Sequence, residues 1–353
     1  MQLYHLSHID LDGYGCQMVS LEFYKTRASA VRCFNANYGK EVLARLEQIF
    51  SAIKQQENGS KAHIIISDLN LTLSECQRLS QAVLDLNLQG FAVSFELLDH
   101  HKSGQECAQK YDWYVLDIKR CATKIVYETL LARFGLDSAT KAWLEPMVEM
   151  INTIDLWNEG GYAFEFGKVA MRLIVEAKEL NRFMFDDADR AYKLALLRES
   201  AKFLAQENGH ILLDNAILEM KKCFLKGSLL SDTLDNLVSL YQCELLAQKA
   251  ESCSVYYENY RGFLSYSIGN ISVLANLFLK QNPQFDFFMD VGARGNVSLR
   301  ANNACDVSLI AQKCFNGGGH PNASGGKIVD FKESFVYEDI KVSVQDILET
   351  TLD

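Results

Sequence analysis

The first half of the chain alternates short apolar segments with longer segments of helical periodicity. The apolar segments predict buried β-strands over residues 3–6, 30–34, 64–67 and 91–98. The segments between and after them predict helices over residues 13–25, 41–54, 73–88, 122–134 and 138–154. Strands that alternate with helices form a parallel sheet with helices on its faces. The pattern therefore predicts an α/β fold with a mostly parallel, doubly wound sheet in the N-terminal domain.

The second half of the chain has a different organisation. Residues 186–226 are charged, helical in pattern and free of proline, which predicts one long connecting helix. Strand-like segments then follow over residues 254–257, 263–267, 285–291 and 296–300, with a helix over 307–314. We therefore expect an N-terminal domain over residues 1–180, a helical connector over 181–230 and a smaller C-terminal α/β domain over 231–353.

The composition fits a folded protein of about two domains. The chain has 353 residues, 48% of them hydrophobic, and only three prolines, which is ample for packed cores and unlike a disordered protein. Its formal net charge of −10 leaves no basic surplus for neutralising a long run of phosphates. We therefore exclude long nucleic acid as a partner, and expect any nucleotide substrate to be short.

The cysteines and the apolar segments indicate in which cellular compartment the protein is expected. The ten cysteines are scattered without CxxC pairs, as in a cytosolic protein with reduced, mostly buried thiols. No apolar run approaches the roughly 20 residues of a membrane span, and Met1 to His5 lack the positive segment that opens a signal peptide. We therefore expect a cytoplasmic protein without a membrane partner; the oligomeric state is left open, a homodimer included.

Side chains that bind metals follow three of the predicted strands. They are His8, Asp10 and Asp12 after the first strand, Asp68 after the third, and Asp99, His100 and His101 after the fourth, with Asp155 further along the chain. The carboxyl ends of parallel strands form the ligand-binding crevice of an open α/β sheet, so these side chains are expected to meet there. Oxygen and imidazole ligands together suit manganese, iron or zinc, and several carboxylates with few imidazoles favour a hard divalent ion. The sequence thus predicts a two-metal hydrolase site.

Single residues of this set carry little weight, since one aspartate after a strand is usually a turn or helix-cap residue. The joint placement at several strand ends is the informative feature. Asp10 and Asp12 are two residues apart, so on a strand they would share a face and present two carboxylates to neighbouring ions. His5 and His63 lie inside strand patterns and are interpreted as structural.

A glycine-rich segment near the C-terminus is the second candidate site. Gly317, Gly318 and Gly319 precede His320, so backbone N–H groups there are able to form an anion-binding concavity. Arg300 ends a predicted strand just upstream, and its planar guanidinium suits a phosphate. No Lys-Ser or Lys-Thr follows the glycines, so the segment is not a Walker A motif. It predicts a clamp for a phosphate or a base.

Taken together, these motifs resemble the DHH/DHHA1 phosphoesterase family. The resemblance covers nearly the whole chain, in the order His8-x-Asp10-x-Asp12-Gly13, Asp68, Asp99-His100-His101, Asp155 and Gly317-Gly318-Gly319-His320. Within the family, the segments around Asp12, His101 and Asp155 look most like the NrnB-type oligoribonucleases, or nanoRNases. One difference is that relatives acting on dinucleotides or pyrophosphate often have three residues between the histidine and the first aspartate, where this chain has one.

The resemblance implies a DHH domain in the N-terminal half, a DHHA1 domain in the C-terminal part, and roles for individual residues. Two manganese ions would be held by His8, Asp10, Asp12, Asp68, His100 and Asp155. Asp68 would bridge the ions, His101 would face the scissile phosphate, and Asp99 would orient the histidines. The distal part of the substrate would be held by Arg300, Gly318, Gly319 and His320.

The activity implied is a manganese-dependent phosphodiesterase that hydrolyses short oligoribonucleotides to mononucleotides with a metal-activated water. A phosphatase for 3′-phosphoadenosine 5′-phosphate and a phosphodiesterase for linear or cyclic dinucleotides are the alternatives. A family II pyrophosphatase fits less well, because those proteins lack the glycine-rich signature. RecJ-like action on long DNA disagrees with the acidic balance. A non-catalytic nucleotide-binding scaffold is disfavoured, because every expected acid is present.

Overall fold

The computed structural model describes residues 1–350, and its first sheet has five parallel strands in the order β2-β1-β3-β4-β5. The strands are β1 (Gln2–Ser7), β2 (Ala30–Asn35), β3 (Lys61–Ser67), β4 (Ala92–Asp99) and β5 (Tyr114–Leu116). Ser7 pairs with both Asn35 and Ser67, and Ser67 pairs with Leu98. The carboxyl ends of four strands are therefore level, so the segments that follow them emerge along one edge.

Helices cover both faces of this sheet. The helices of the first half are α1 (Leu11–Tyr24), α2 (Lys40–Lys54), α3 (Leu73–Leu88), α4 (Gln105–Lys110), α5 (Ala122–Phe134), α6 (Ser138–Asp155) and α7 (Phe164–Val175). On one face Tyr4, Leu6, Ile64 and Ile66 share a buried core with the apolar sides of α2 and α3. The opposite face carries α1 and α5. The predicted α/β class with a doubly wound sheet is confirmed.

The long connecting helix predicted over residues 186–226 differs in the structure. The segment forms two helices, α8 (Asp186–Leu204) and α9 (Gly209–Phe224), separated by a turn. Gly209 begins α9, and Asn208 before it has a positive φ of 55°. A left-handed residue next to a glycine ends one helix and begins another, which the charged, proline-free pattern did not reveal.

A mixed six-stranded sheet dominates the second half, in the order β10-β11-β9-β8-β7-β6. Its strands are β6 (Ser254–Tyr257), β7 (Tyr260–Tyr266), β8 (Phe287–Val291), β9 (Asn296–Ala301), β10 (Gly318–His320) and β11 (Ala323–Lys327). Only the β7–β8 pair is parallel. The remaining helices are α10 (Leu234–Ala247), α11 (Ser272–Gln281), α12 (Val307–Phe315) and α13 (Tyr337–Thr350).

The chain divides into two compact units. The first comprises Met1–Ala177 and Lys193–Ile217, and the second comprises Lys178–Tyr192 and the chain from Leu218 onward. Helices α8 and α9 each contribute to both units. Across residues 1–350, every helix is too short or too polar to cross a membrane.

Candidate metal centre

The segments at the level edge of the first sheet bring the predicted ligands together. His8 follows β1, Asp68 follows β3 directly, and Asp99 is the last residue of β4, with His100 and His101 next. Three groups have ligand atoms that all lie within 4.8 Å of one another: His8 with Asp10 and Asp68, Asp68 with His100 and His101, and Asp12 with His100 and Asp155. Because Asp68 and His100 each belong to two groups, the three form one continuous site, which we call the carboxylate cluster.

Asp10 and Asp12 reach the cluster by a different route from the one predicted. The prediction that they share one face of a strand is wrong, because β1 ends at Ser7 and α1 begins at Leu11. Asp10 is the N-cap residue of α1 and accepts a hydrogen bond from the N–H of Gly13 at 3.1 Å. A side chain at Gly13 would collide with the carbonyl of His8, since an added Cβ would lie 2.2 Å from that oxygen. Glycine is therefore required for this tight turn from strand to helix.

Asp12, in the first turn of α1, is held by the start of another helix. Its two carboxylate oxygens accept hydrogen bonds from the N–H groups of Ala122 and Thr123, each at 2.8 Å. These N–H groups open α5, whose N-terminus attracts negative charge. The Oδ2 atom of Asp12 also lies 3.7 Å from Nε2 of His100. The carboxylate is thus fixed in position before any ligand binds.

Asp68 occupies the centre of the cluster. It is 2% exposed, and its backbone has a positive φ of 56°, a conformation that is strained for a residue other than glycine. Its Oδ1 atom lies 3.3 Å from Nε2 of His100, and its Oδ2 atom lies 3.8 Å from Nδ1 of His8. Among residues 1–350, that Oδ2 atom is buried without a hydrogen-bond partner. A buried carboxylate oxygen without a donor is costly and is well suited to a cation.

His100 and Asp155 complete the opposite side. Asp155 is the last residue of α6, and its Oδ2 atom lies 3.6 Å from Nδ1 of His100. Burial lowers the pKa of His100, which keeps its imidazole in the neutral form that binds metals. Burial, followed by the charges of Asp12 and Asp10, raises the pKa of Asp155 to about 8. The carboxylates of the cluster therefore repel one another.

The same repulsion acts on Asp68. Burial and the carboxylates of Asp12 and Asp10 raise the pKa of Asp68 well above its usual range. The repulsion on Asp10 is offset by His8, because Nδ1 of His8 lies 2.9 Å from Oδ2 of Asp10. Burial alone would raise the pKa of Asp10, but the hydrogen bond and charge of His8 lower it to about 2. A site with surplus buried carboxylates and a free buried oxygen fits divalent cations.

His101 lies beside the cluster in a hydrogen-bonded chain with tyrosines. Its Nδ1 atom is 2.8 Å from Oδ1 of Asp99, and Oδ2 of Asp99 accepts a 2.8 Å hydrogen bond from the hydroxyl of Tyr114. The Nε2 atom of His101 is 3.1 Å from the hydroxyl of Tyr38, whose ring also packs against His8 with centroids 5.0 Å apart. The hydrogen bond to Asp99 raises the pKa of His101.

Sequence reasoning missed Tyr38, Asn37 and Tyr114. Asn37 places its Oδ1 atom 3.3 Å from Nε2 of His8. Tyr38 and Asn37 follow β2, whose carboxyl end is level with that of β1, so the prediction of a parallel strand there already pointed to this loop. No comparable signal existed for Tyr114, because β5 is only three residues long.

The remaining predicted site residues belong to the second unit. Gly318, Gly319 and His320 form β10. His320 pairs with Ala323 on β11, and Ala323 pairs with Arg300 on β9. Directly paired residues project on the same face of a sheet, so Arg300 and His320 share a face two strands apart. Arg300 donates to the hydroxyl of Ser272 at 3.1 Å and to the carbonyl of Leu299. Gly318 lies two residues before His320 on the same strand, and a Cβ added there would meet only open space, so the surface beside His320 is unobstructed.

Comparison with known proteins relates this site to phosphodiesterases. The chain is 54% identical over 348 residues to a 3′,5′-cyclic-nucleotide phosphodiesterase from Helicobacter pylori, covering 98% of this chain and 99% of that protein. It is 27% identical over 355 residues to the oligoribonuclease NrnB of Bacillus subtilis, covering 96% of this chain and 77% of that protein. A crystal structure of a Helicobacter pylori protein with 53% identity superposes with a TM-score of 0.91 over 99% of both chains.

No family model matches the chain. The assignment rests on the full-length similarity to the Helicobacter pylori phosphodiesterase, together with the resemblance of the Asp99-His100-His101 segment and its neighbouring acids. The chain therefore belongs to the family of that phosphodiesterase and is a hydrolytic phosphoesterase of the DHH type.

Proposed function

We propose that this protein is a manganese-dependent phosphodiesterase that cleaves the 3′,5′-phosphodiester bond of small ribonucleotides, with 3′,5′-cyclic mononucleotides as its first substrate class. The observation that carries the proposal is the carboxylate cluster, in which the central oxygen of Asp68 is buried without a donor. The full-length similarity to a 3′,5′-cyclic-nucleotide phosphodiesterase supports this choice of bond.

The residues of the cluster and its neighbour His101 have different proposed roles. His8, Asp10, Asp12, Asp68, His100 and Asp155 would hold two divalent ions, with Asp68 shared between them. Such ions, when bound, activate a water and stabilise the charge on the phosphoryl oxygens. His101 presents Nε2 at the edge of the cluster, because Asp99 accepts at the Nδ1 side of its ring. When both ring nitrogens are protonated, Nε2 is placed to donate a hydrogen bond to a phosphoryl oxygen, and the hydrogen bond to Asp99 favours that form by raising the pKa of His101.

Manganese is proposed over magnesium because of the two imidazoles. Magnesium prefers oxygen ligands and retains water, whereas manganese accepts histidine nitrogen more readily. The purified, metal-free protein is expected to regain much more activity with Mn²⁺ than with Mg²⁺ when each is added alone. Equal activity with both ions would contradict a direct role for His8 and His100 as ligands.

Short oligoribonucleotides are the second candidate substrate. The open surface at Gly318, beside His320 and on the same face of the sheet as Arg300, suits a further phosphate or base of the substrate. The similarity to NrnB supports the same substrate class. A cyclic mononucleotide offers only one phosphate, whereas a di- to pentanucleotide offers several groups for this surface.

A substrate panel with Mn²⁺ tests both candidates. It compares 3′,5′-cyclic AMP and GMP with RNA of two to five nucleotides, 3′-phosphoadenosine 5′-phosphate, cyclic dinucleotides and longer RNA. Turnover of cyclic mononucleotides above all others supports the first candidate, and turnover of short RNA above cyclic mononucleotides supports the second. If none is hydrolysed while Mn²⁺ binds, the proposed function is wrong.

Replacing Arg300 tests the second candidate, cleavage of short oligoribonucleotides. Arg300→Ala is expected to weaken cleavage of a dinucleotide by roughly 2–3 kcal/mol, the range for a hydrogen bond to a charged group. A nitrophenyl phosphodiester makes no remote contact and should lose much less. Arg294→Ala is the matched control, since Arg294 is exposed at the turn between β8 and β9. Equal losses for the dinucleotide and the nitrophenyl ester would rule out a substrate contact by Arg300.

A further inference from the structure

Asp99 is the most enclosed acid near the carboxylate cluster, yet it belongs to none of the three ligand groups. Its side chain is 0% exposed, and both of its oxygens have partners: Oδ1 lies 2.8 Å from Nδ1 of His101, and Oδ2 accepts the hydroxyl of Tyr114 at 2.8 Å. Its backbone carbonyl accepts the N–H of Asp117 at 3.0 Å. Within residues 1–350, the side chain of Asp99 therefore hydrogen-bonds with His101 and Tyr114 and with none of the six proposed metal ligands.

The position of the Tyr114 hydroxyl is imposed by the fold. Tyr114 is buried on β5 and pairs with Leu97, so its side chain lies on the same face of the sheet as Asp99 and leans toward the end of the strand. Gly104, in the turn after His101, leaves the space that the hydroxyl fills. A Cβ added at Gly104 would lie 2.0 Å from that hydroxyl oxygen and 3.4 Å from Oδ2 of Asp99. The slot thus admits the tyrosine hydroxyl only because residue 104 is a glycine.

We propose that Tyr114 is a positioning residue for the phosphodiesterase reaction, which acts on His101 through Asp99. The donated hydrogen bond fixes one oxygen of Asp99, and the other oxygen then accepts from Nδ1 of His101. Because an ionised carboxylate only accepts, Nδ1 must carry a hydrogen, and Nε2 becomes the atom presented at the rim of the site. The hydroxyl of Tyr38 lies 3.1 Å from Nε2 and marks the direction in which that atom points.

Removing the Tyr114 hydroxyl leaves a buried oxygen of Asp99 without a donor. The carboxylate is then held at one oxygen only, and the ring of His101 loses its fixed orientation. Tyr114 contacts Asp99, and neither residue is among the six proposed ligands, so metal binding should be unaffected. The proposal rests on the proposed function for its kinetic part, but the orientation of His101 is measurable without turnover.

Tyr114→Phe is the variant that tests this, because it keeps the ring and removes one oxygen atom. Tyr111→Phe is the matched control, since Tyr111 lies in the same segment with its ring against Trp113. With Mn²⁺ and the best substrate of the panel, kcat of Tyr114→Phe is expected to fall about tenfold, with KM and metal content unchanged. In ¹⁵N-edited NMR of the metal-free protein, the Nδ1–H resonance of His101 should shift or broaden in Tyr114→Phe and stay in place in Tyr111→Phe.

Gly104→Ala provides a second variant, since its methyl group would displace the same hydroxyl. It is expected to reproduce the loss in kcat and the NMR change, with thermal melting to establish that the variant is folded. A kcat of Tyr114→Phe within twofold of wild type overturns the proposal, as does an unchanged Nδ1–H resonance or a fall in kcat that accompanies loss of metal. If wild type hydrolyses no phosphodiester, the proposed function fails, while the NMR comparison still decides whether Tyr114 orients His101.

Discussion

Two polar clusters are built on the same parallel sheet, and they differ in how their charges are balanced. The first is the carboxylate cluster at the carboxyl edge. The second, which we call the Glu96 cluster, consists of Glu96 on β4, His63 on β3 and Arg133 on α5. Glu96 receives two hydrogen bonds from Arg133 at 2.8 Å and lies 3.0 Å from Nε2 of His63. One carboxylate thus meets a guanidinium and an imidazole.

The pKa of Glu96 shifts in the opposite direction from the pKa values of Asp68 and Asp155. Burial alone would raise the pKa of Glu96, but its hydrogen bonds with His63 and Arg133 lower it to about 2. In the carboxylate cluster, burial and neighbouring acids raise the pKa values of Asp68 and Asp155. A polar cluster that supplies its own counter-charges serves the fold. A cluster in which Asp68 and Asp155 lack sufficient counter-charge, and in which the backbone of Asp68 is strained, is suited to a bound cation.

The largest expected effect comes from exchanging the central acid of the first cluster. If Asp68 is shared by two ions as proposed, Asp68→Asn should lower turnover by roughly a thousandfold or more, because both ions lose a ligand. The metal-free variant should melt at or above the temperature of wild type, since one of several crowded negative charges is gone. Steady-state kinetics with Mn²⁺ and thermal melting of the metal-free form measure the two effects.

Glu96→Gln is the comparison variant for that experiment, since it changes a carboxylate of the same sheet to an amide. The folded fraction of Glu96→Gln should retain activity within about twofold of wild type. Near-normal turnover by Asp68→Asn at saturating Mn²⁺ would remove the distinction between the two clusters, as would a comparable loss of activity in Glu96→Gln.

The next effect is on stability, and it belongs to the Glu96 cluster. Glu96→Gln should destabilise the protein by about 1–2 kcal/mol at pH 7, a value reduced from that of a fully buried pair because Arg133 is 38% exposed. The pKa of Glu96 is about 2 in the folded protein and near 4.5 ordinarily. The stabilisation is therefore present above pH ~4.5 and is lost as the pH falls toward 2.

Urea unfolding at pH 7 and at pH 3 measures this difference between Glu96→Gln and wild type, which should shrink at the lower pH. Glu145→Gln is the control, since Glu145 forms an exposed i,i+4 pair with Lys141 and should change stability little at either pH. A cost for Glu96→Gln that does not depend on pH would show that charge is not what stabilises this cluster.

The two clusters also differ in how far the sequence predicts them. The strong apolar patterns predicted α3 and α5 at the bounds that the structure has, and Thr72 with Glu75 forms a capping box at the start of α3. The acids and histidines of the carboxylate cluster were predicted to meet because parallel strands end at one edge, a rule that needs only strand positions, and the structure brings them together. Their arrangement within the site was not found, since Asp10 acts as a helix cap where a strand face was expected.

Contacts that depend on strand register could not be predicted. His63 and Glu96 meet because β3 and β4 pair in one register, and Arg133 joins them from α5, 37 residues along the chain from Glu96. Tyr114 reaches Asp99 in the same way, from an edge strand of three residues. An isolated tyrosine or arginine carries no local pattern, so its partner follows only from the tertiary fold.

The smallest expected effect is on the melting temperature, and it tests whether the carboxylate cluster carries surplus negative charge. The pKa of Asp155 is raised to about 8 in the metal-free protein, from an ordinary value near 3.8. Its contribution to stability is therefore present below pH ~3.8 and is lost as the pH rises through about 8, the reverse of Glu96. Asp155→Asn cannot ionise, so the metal-free variant should melt a few degrees above wild type at pH 8, with the difference closing toward pH 4. In a domain of this size, about 2–4 °C corresponds to 1 kcal/mol.

Adding Mn²⁺ should reverse the order of the two melting temperatures at pH 8, because wild type keeps the proposed ligand that the variant lacks. Identical pH dependence of melting for the two metal-free proteins would contradict the view that ionised Asp155 destabilises the protein when no cation is bound.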